Sequence, residues 1–256
     1  MRHVLALLAC FAVGGIAVAK ASAQSSSNLA EQAATLVARP PVAPDIASFP
    51  RLAGGVGPAS RIDATLDGIE NKLRGAVEDC RKQARENDGQ AGWRRTVRVS
   101  MRGPRFLSMT AEDGAFCGSA HPTNEMLALV FDLSTGKPVN WQRMLPPSLV
   151  QSTVLASGLA GSPIRLVKSD QLLALYKSHY PAHPDNIDPA DRDACLDSVE
   201  DGFTLWLDAA SHSLVLEPTA GDFATAACAV PVSLPVPLLA QIGIASTLLD
   251  TLRSGK

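Results

Sequence analysis

Three features of this 256-residue sequence predict an α+β fold. One long amphipathic helical pattern comes first. Strand patterns then follow one another across tight turns, without the regular strand–helix alternation of a wound sheet. The remaining helical stretches sit between and after the strands. No internal repeat interrupts this order.

The chain opens with Arg2 and His3, an acid-free apolar run from Val4 to Ala19, and then Ala21-Ser22-Ala23 before Gln24. That arrangement predicts a secretory signal over residues 1–23, cleaved after Ala23, because the run is shorter than the roughly 20 apolar residues of a membrane span. Leu7-Leu8-Ala9-Cys10 has the outline of a lipoprotein box, but too few apolar residues precede the cysteine. Residues 24–58 contain Ser25-Ser26-Ser27, Arg39-Pro40-Pro41-Val42-Ala43-Pro44 and Gly54-Gly55-Val56-Gly57-Pro58, and predict a poorly ordered linker. A short helix over Asn28–Val37 suits the alanines and glutamines there.

Residues 59–256 are expected to form a single α+β domain. Ile62, Leu66, Ile69, Leu73, Val77 and Cys80 recur at helical spacing, with Ser60 placed as an N-cap and Asn87-Asp88-Gly89 as the stop. Val97 and Val99 alternate with Arg98 and Ser100, and Arg105–Met109 follows the Gly103-Pro104 turn, which predicts a hairpin. Met126–Leu133 predicts a third strand, ending in the tight turn Ser134–Pro138. Pro146-Pro147 predicts a helix over Ser148–Leu155, and Asp170–Tyr180 another. Residues 182–194 read as a polar loop. Phe203–Leu207 and Ser213–Glu217 predict two strands, Val230–Val236 a last one, and Pro237–Leu252 a closing amphipathic helix.

The 23 basic and 25 acidic side chains give a net charge of −2, and loss of Arg2 and Lys20 with the signal leaves 21 bases against 25 acids, or −4. With so little positive charge and only twelve aromatic residues, nucleic acid is excluded as a partner. Past Cys10 there remain Cys80, Cys117, Cys195 and Cys228, an even number, which in an exported protein predicts two disulfides. Three connectivities are open. Cys80–Cys117 with Cys195–Cys228 closes the shortest loops and is favoured. The spacings of 37, 78 and 33 contain no CxxC element, so no zinc site, and no cofactor of any kind, is expected.

Several residues with chemical potential have plainer explanations. His121, in a tight loop before Pro122, reads either as a ligand-facing imidazole or as a loop-capping one, and the capping role fits the restraint that Pro122 imposes. Ser134-Thr135-Gly136-Lys137 spells S-x-x-K, but it ends a strand rather than opening a helix, and so reads as a β-turn. His179 and His183 have the spacing of a metal pair, yet Pro181 lies between them. Asp185, Asp188, Asp191 and Asp193 lack the spacing of a calcium loop and read as a solvated acidic segment. No G-x-S-x-G or H-E-x-x-H is present.

Taken together, Phe106-Leu107-Ser108, Cys117-Gly118-Ser119-Ala120-His121-Pro122 and Phe131-Asp132-Leu133-Ser134-Thr135-Gly136-Lys137-Pro138 resemble the RsiV-like extracytoplasmic domain family. That domain is typified by a lysozyme-sensing anti-sigma factor and is also found in PdaC-type peptidoglycan deacetylases. The similarity spans about residues 93–243 and is strongest at 106–141; Cys117-Gly118-Ser119 departs from the family's glycine pair. The resemblance implies an α+β domain in a Gram-negative envelope, periplasmic or secreted. It also implies a non-catalytic binding role toward a lysozyme-like muramidase or cell-wall components, with His121, Ser119, Asp132 and Lys137 as candidate binding residues. A peptidoglycan-acting hydrolase using His121 and a carboxylate is the alternative, and a structural domain is a third.

Overall fold

The computed structural model describes residues 33–87, 89–118, 121–185, 187–200, 202–219 and 226–255. The signal segment, residues 24–32 of the expected linker, and Ser119 lie outside these. Two short strands, β1 (Leu36–Val37) and β2 (Arg51–Leu52), pair antiparallel ahead of a 29-residue helix, α1 (Pro58–Glu86). A four-stranded antiparallel sheet follows in the order β3 (Ala91–Arg102), β4 (Phe106–Cys117), β5 (Thr123–Asp132) and β6 (Lys137–Pro138). After a one-turn helix α2 (Trp141–Met144) come β7 (Ser152–Ser157), β8 (Pro163–Lys168), α3 (Asp170–His179) and α4 (Arg192–Ser198). The chain then forms β9 (Gly202–Asp208), β10 (Ser213–Pro218), β11 (Val232–Pro235), α5 (Val236–Gln241) and α6 (Ser246–Ser254). The second sheet is antiparallel with five strands in the order β11-β10-β9-β8-β7.

The predicted stripe is the buried face of α1: Ile62, Leu66, Ile69, Leu73, Val77 and Cys80 all face inward. Ile62, Leu66 and Ile69 pack on Leu107, Met109 and Ala111 of β4 and Leu127 and Phe131 of β5, which share one face of the four-stranded sheet, whereas Leu73 and Val77 pack with Ile46 and Ala160. Each such aliphatic side chain contributes roughly 1.5–3 kcal/mol of burial. The helix begins at Pro58 rather than after Ser60, since proline at the first helical position gives up an N–H that has no intrahelical partner anyway. A register shift between Val99 and Met101 turns Met101 to the opposite face, where the larger core lies against Phe106, Val130, Leu205 and Leu207.

Both ends of α1 are fixed. At its C-terminal end Cys80 is bonded to Cys117 at the end of β4; Cys195–Cys228 is the second disulfide. Both pairings are those expected from loop length. At its N-terminal end Arg61 Nε donates to the Thr135 carbonyl at 2.7 Å. Gly136, at φ +68°, passes so close beneath Pro58 that a Cβ would collide with the Pro58 carbonyl.

Several expectations are corrected. Residues 33–57 of the expected linker are packed, not a loose tether. Phe49 and Ile46 are 0% and 1% exposed, the Phe49 N–H donates to Glu70 Oε1 at 2.8 Å, and Arg51 Nη2 pairs with Glu70 and Asp67 at 2.7 and 2.6 Å. Burial would lower the Arg51 pKa, but the hydrogen bonds that Arg51 donates to Glu70 and Asp67, with the charges of those carboxylates, outweigh it and raise the value instead. Leu36–Val37 is strand, not the end of a helix. The helix expected over Ser148–Leu155 is a 3-10 turn at Pro147–Leu149 followed by β7, where β-branched Thr153 and Val154 favour the extended chain. Within residues 182–194, Pro189–Asp191 and Arg192 onward are helical. The closing helix is two, broken where Gly243 takes φ +79° and its N–H meets the Ala240 carbonyl.

Gly136→Ala should lower stability by about 2 kcal/mol or more, through positive φ and collision with Pro58. The expected signature is a lower urea midpoint at unchanged slope.

Candidate binding cleft

Along one flank of the N-terminal half of α1, between the helix and the sheets, lies an open cleft of about 290 Å³. One wall is α1, through Ala64, Thr65, Gly68, Ile69 and Lys72. Ala64 and Gly68 are one turn apart and small, and a Cβ built on Gly68 would meet nothing within 4 Å. The floor is a face of the five-stranded sheet: Leu155 of β7, Pro163 and Arg165 of β8, and Leu205 of β9. Leu155 and Arg165 are cross-strand partners, which places them side by side. Ala128 to Phe131 of β5 form the remaining wall with Pro138, Val139 and Trp141. Four consecutive residues of a strand line a cavity only where it meets the strand edge-on, since alternate side chains point to opposite faces.

This edge is largely open. β6 pairs only with Phe131 and Asp132, and the Val139 N–H reaches the Val130 carbonyl at 2.8 Å. By the two-residue period, Asn124, Met126 and Ala128 turn their N–H and C=O groups to the same side, with no ladder partner among the described residues. The lining is chiefly apolar, and Leu155 is 63% exposed. Lys72 and Arg165 are exposed as well, and neither makes an ion pair with any described residue.

A second, polar cavity of about 330 Å³ lies between the two sheets. Thr96, Arg98, Thr110, Glu112 and Met126 face Trp206, Asp208, Val215, Pro231 and Ser233 across it. Arg98 Nη2 bridges the sheets to Asp208 at 2.8 Å. On the same face of β10 as Val215, Glu217 keeps a buried Oε2 without a hydrogen-bond partner among the described residues. Burial, with Glu112 adding its negative charge, pushes the Glu217 carboxyl up to about 8.

On the α1 face, a charged row runs straight across three strands, Arg95–Asp113–Glu125. Arg95 Nε and Nη2 both donate to Asp113, with side-chain exposures of 0% and 1%, and Trp93 Nε1 donates to Asp113 at 3.0 Å. Burial raises the Glu125 pKa, opposed by the Leu159 N–H, which donates to its carboxylate.

The candidate residues from the sequence do not converge. His121 is exposed in the connection between β4 and β5, whereas Asp132 and Lys137 flank the turn after β5. The ten residues of β5 separate them, about 30 Å at roughly 3.3 Å per residue. Asp132 accepts from the Ser134 N–H, the Ser134 hydroxyl and Arg105 at 2.8, 2.6 and 2.8 Å. Burial pushes its carboxyl up, but these donors prevail and hold it below its ordinary value. Lys137 joins the turn through its N–H, which donates to Thr135 Oγ1 at 3.3 Å. Ser134–Lys137 is thus the turn it was read to be, and it seats α1. The His179 ring folds back to the Leu175 carbonyl at 2.9 Å, Asp188 caps Ala190, and Asp193 pairs with Arg192. Among the described residues no group of three metal-binding side chains assembles.

The sequence carried one sign of the cleft, the small pair Ala64 and Gly68 beside the apolar stripe. Leu155 was hidden by its reading as helix.

Comparison with protein families and with curated proteins gives no match. Among solved structures, the chain is similar to the crystal structure of a DUF3298-family member from Bacteroides fragilis. Identity is 14% and the TM-score 0.45, over 78% of this chain and 75% of that one. The two disulfides suit an oxidising, extracytoplasmic location, and no helix among the described residues is long and apolar enough to cross a membrane.

Glu217 makes stability pH-dependent. Below about pH 8 the folded chain keeps a proton that the unfolded chain releases near the ordinary value of 4.5. Stability therefore falls as pH rises through that window, then levels off. Glu217→Gln should remove this slope and gain stability on the order of 3 kcal/mol at alkaline pH, read from urea titrations across the pH range.

Proposed function

We propose that the chain is an exported, non-catalytic binding module of the bacterial envelope, which grips a macromolecular partner through the cleft beside α1. A lysozyme-like muramidase, or a cell-wall component, is the partner that the sequence resemblance suggests. The observation that carries the reading is the cleft itself. It is open, apolar, and bounded by a rigid helix fixed at both ends, which is the form of a site that accepts an anchoring side chain from a partner. His121 and Asp132, at opposite ends of β5, are too far apart to act on one ligand atom, and Asp132 and Lys137 serve the binding reading through the turn that seats α1.

One observation favours a second reading, a peptidoglycan-acting hydrolase. Glu217 holds a proton at neutral pH while Glu112 lies close enough to influence it, the division of labour of a carboxylate acid/base couple.

Titration calorimetry of the full chain against a lysozyme-type muramidase and against purified muropeptides separates the two. The binding reading expects a saturable heat with muramidase that Gly68→Leu weakens about tenfold or more by filling the cleft. Muropeptide fragments released by the wild type but not by Glu217→Gln would replace it with the hydrolase reading.

A further inference from the structure

We infer that the cleft accepts an extended peptide segment, carrying an apolar side chain beside a carboxylate, which adds as a strand to the free edge of β5. This rests on the binding reading above and names the chemistry its site selects.

Three features converge on that class. The edge of β5 offers main-chain donors and acceptors at Asn124, Met126 and Ala128, and Ala128 lies in the cleft wall. An extended peptide satisfies such groups in register, every second residue. Next, Gly68 lines the cleft together with Ile69, Leu129 and Leu155, and a Cβ on Gly68 would meet nothing within 4 Å, so an apolar side chain pointing in from the added strand finds room against these residues. Finally, Lys72 and Arg165 are the basic groups of the lining, on opposite walls, and neither has a carboxylate partner among the described residues. A carboxylate beside the apolar anchor gives them one, and Arg165 can meet it with two parallel N–H groups.

Two other occupants fit less well. A fatty acid supplies the chain and the carboxylate but leaves the main-chain groups of the edge unmatched. A second copy docked symmetrically through the same cleft would bring two Lys72 and two Arg165 side chains together, which is repulsive.

The test uses fluorescence anisotropy of the full chain with three labelled seven-residue probes. Each has a valine–leucine centre, flanked by glutamates, glutamines or lysines. The glutamate probe is expected to bind at least tenfold more tightly than the glutamine probe, and the lysine probe most weakly. Lys72→Glu with Arg165→Glu should reverse that order, an outcome that mere destabilisation would not produce. Gly68→Leu should abolish binding of the glutamate probe, while circular dichroism and the urea midpoint hold or rise, because leucine favours a helix over glycine at this exposed site. Methylating alternate amides of the glutamate probe should also abolish binding.

Equal affinity for the three probes, no reversal in the double variant, full competition by decanoate, or dimerisation that Gly68→Leu abolishes would each overturn the inference. If muramidase binds in a manner sensitive to Gly68→Leu while the probes do not, the peptide inference fails and the binding reading stands. If the glutamate probe binds and muramidase does not, the cleft chemistry stands and the partner identity falls.

Discussion

The structure depends on one helix laid across one sheet and held at both ends. Burial of Ile62, Leu66 and Ile69 draws α1 onto β4 and β5, but burial alone is non-directional and would tolerate sliding or rotation. Two fixed points remove that freedom. The Cys80–Cys117 bond ties the C-terminal half to the far end of β4, and the close approach of Gly136 to Pro58 sets the N-terminal half against the turn after β5. Between them the helix spans the sheet with Ile62, Leu66 and Ile69 buried, and its flank at Ala64, Thr65, Gly68 and Lys72 forms one wall of the open cleft.

A second constraint acts on the same face. Arg95 and Asp113 are buried together, and a guanidinium removed from water stabilises little unless its donors are met. Asp113 meets two of them, and the Arg95 main chain is held by Asp45 and Ala47, its N–H reaching the Asp45 carbonyl at 2.9 Å. The guanidinium also lies over the Phe49 ring at 5.7 Å. The pair thus orders the segment before α1 as well as the strand it sits on.

This explains which parts of the fold were legible. The α1 stripe, the β3–β4 hairpin, β5, α3 and the β9–β10 pair carry their signal in local period, and the disulfide pairing follows from loop length. The segment over residues 33–57 carries no such signal. Its prolines and glycines describe a chain with little intrinsic preference, and its order comes from partners far away in sequence: Glu70 for Phe49 and Arg51, Asp63 for Leu52, Arg95 for Asp45. β7 was lost for a related reason, since Pro146-Pro147 begins a helical turn that lasts only three residues. For the site, motif reading pointed to His121, Asp132 and Lys137, because turn residues stand out in a sequence. The cleft is made of ordinary side chains whose only distinction is what is missing above Gly68.

Edge management ties these observations to function. A sheet edge left open invites pairing with other chains, so stable proteins cover, shorten or charge it. Here the ordered segment before α1 covers the outer edge of β3 at Arg95, through the bridge to Ile46 and the bonds to Asp45 and Ala47. On the opposite side β6 covers β5 for only two residues, and the Glu125 carboxylate is turned aside to the Leu159 N–H. The stretch between, at Ala128, lies in the cleft with α1 on one side and the β7–β8 face on the other, and Lys72 and Arg165 line it. An edge enclosed in this way is shielded from broad, flat aggregation yet remains open to a single strand of matching charge. The same two walls that protect the sheet therefore make this stretch of its edge selective.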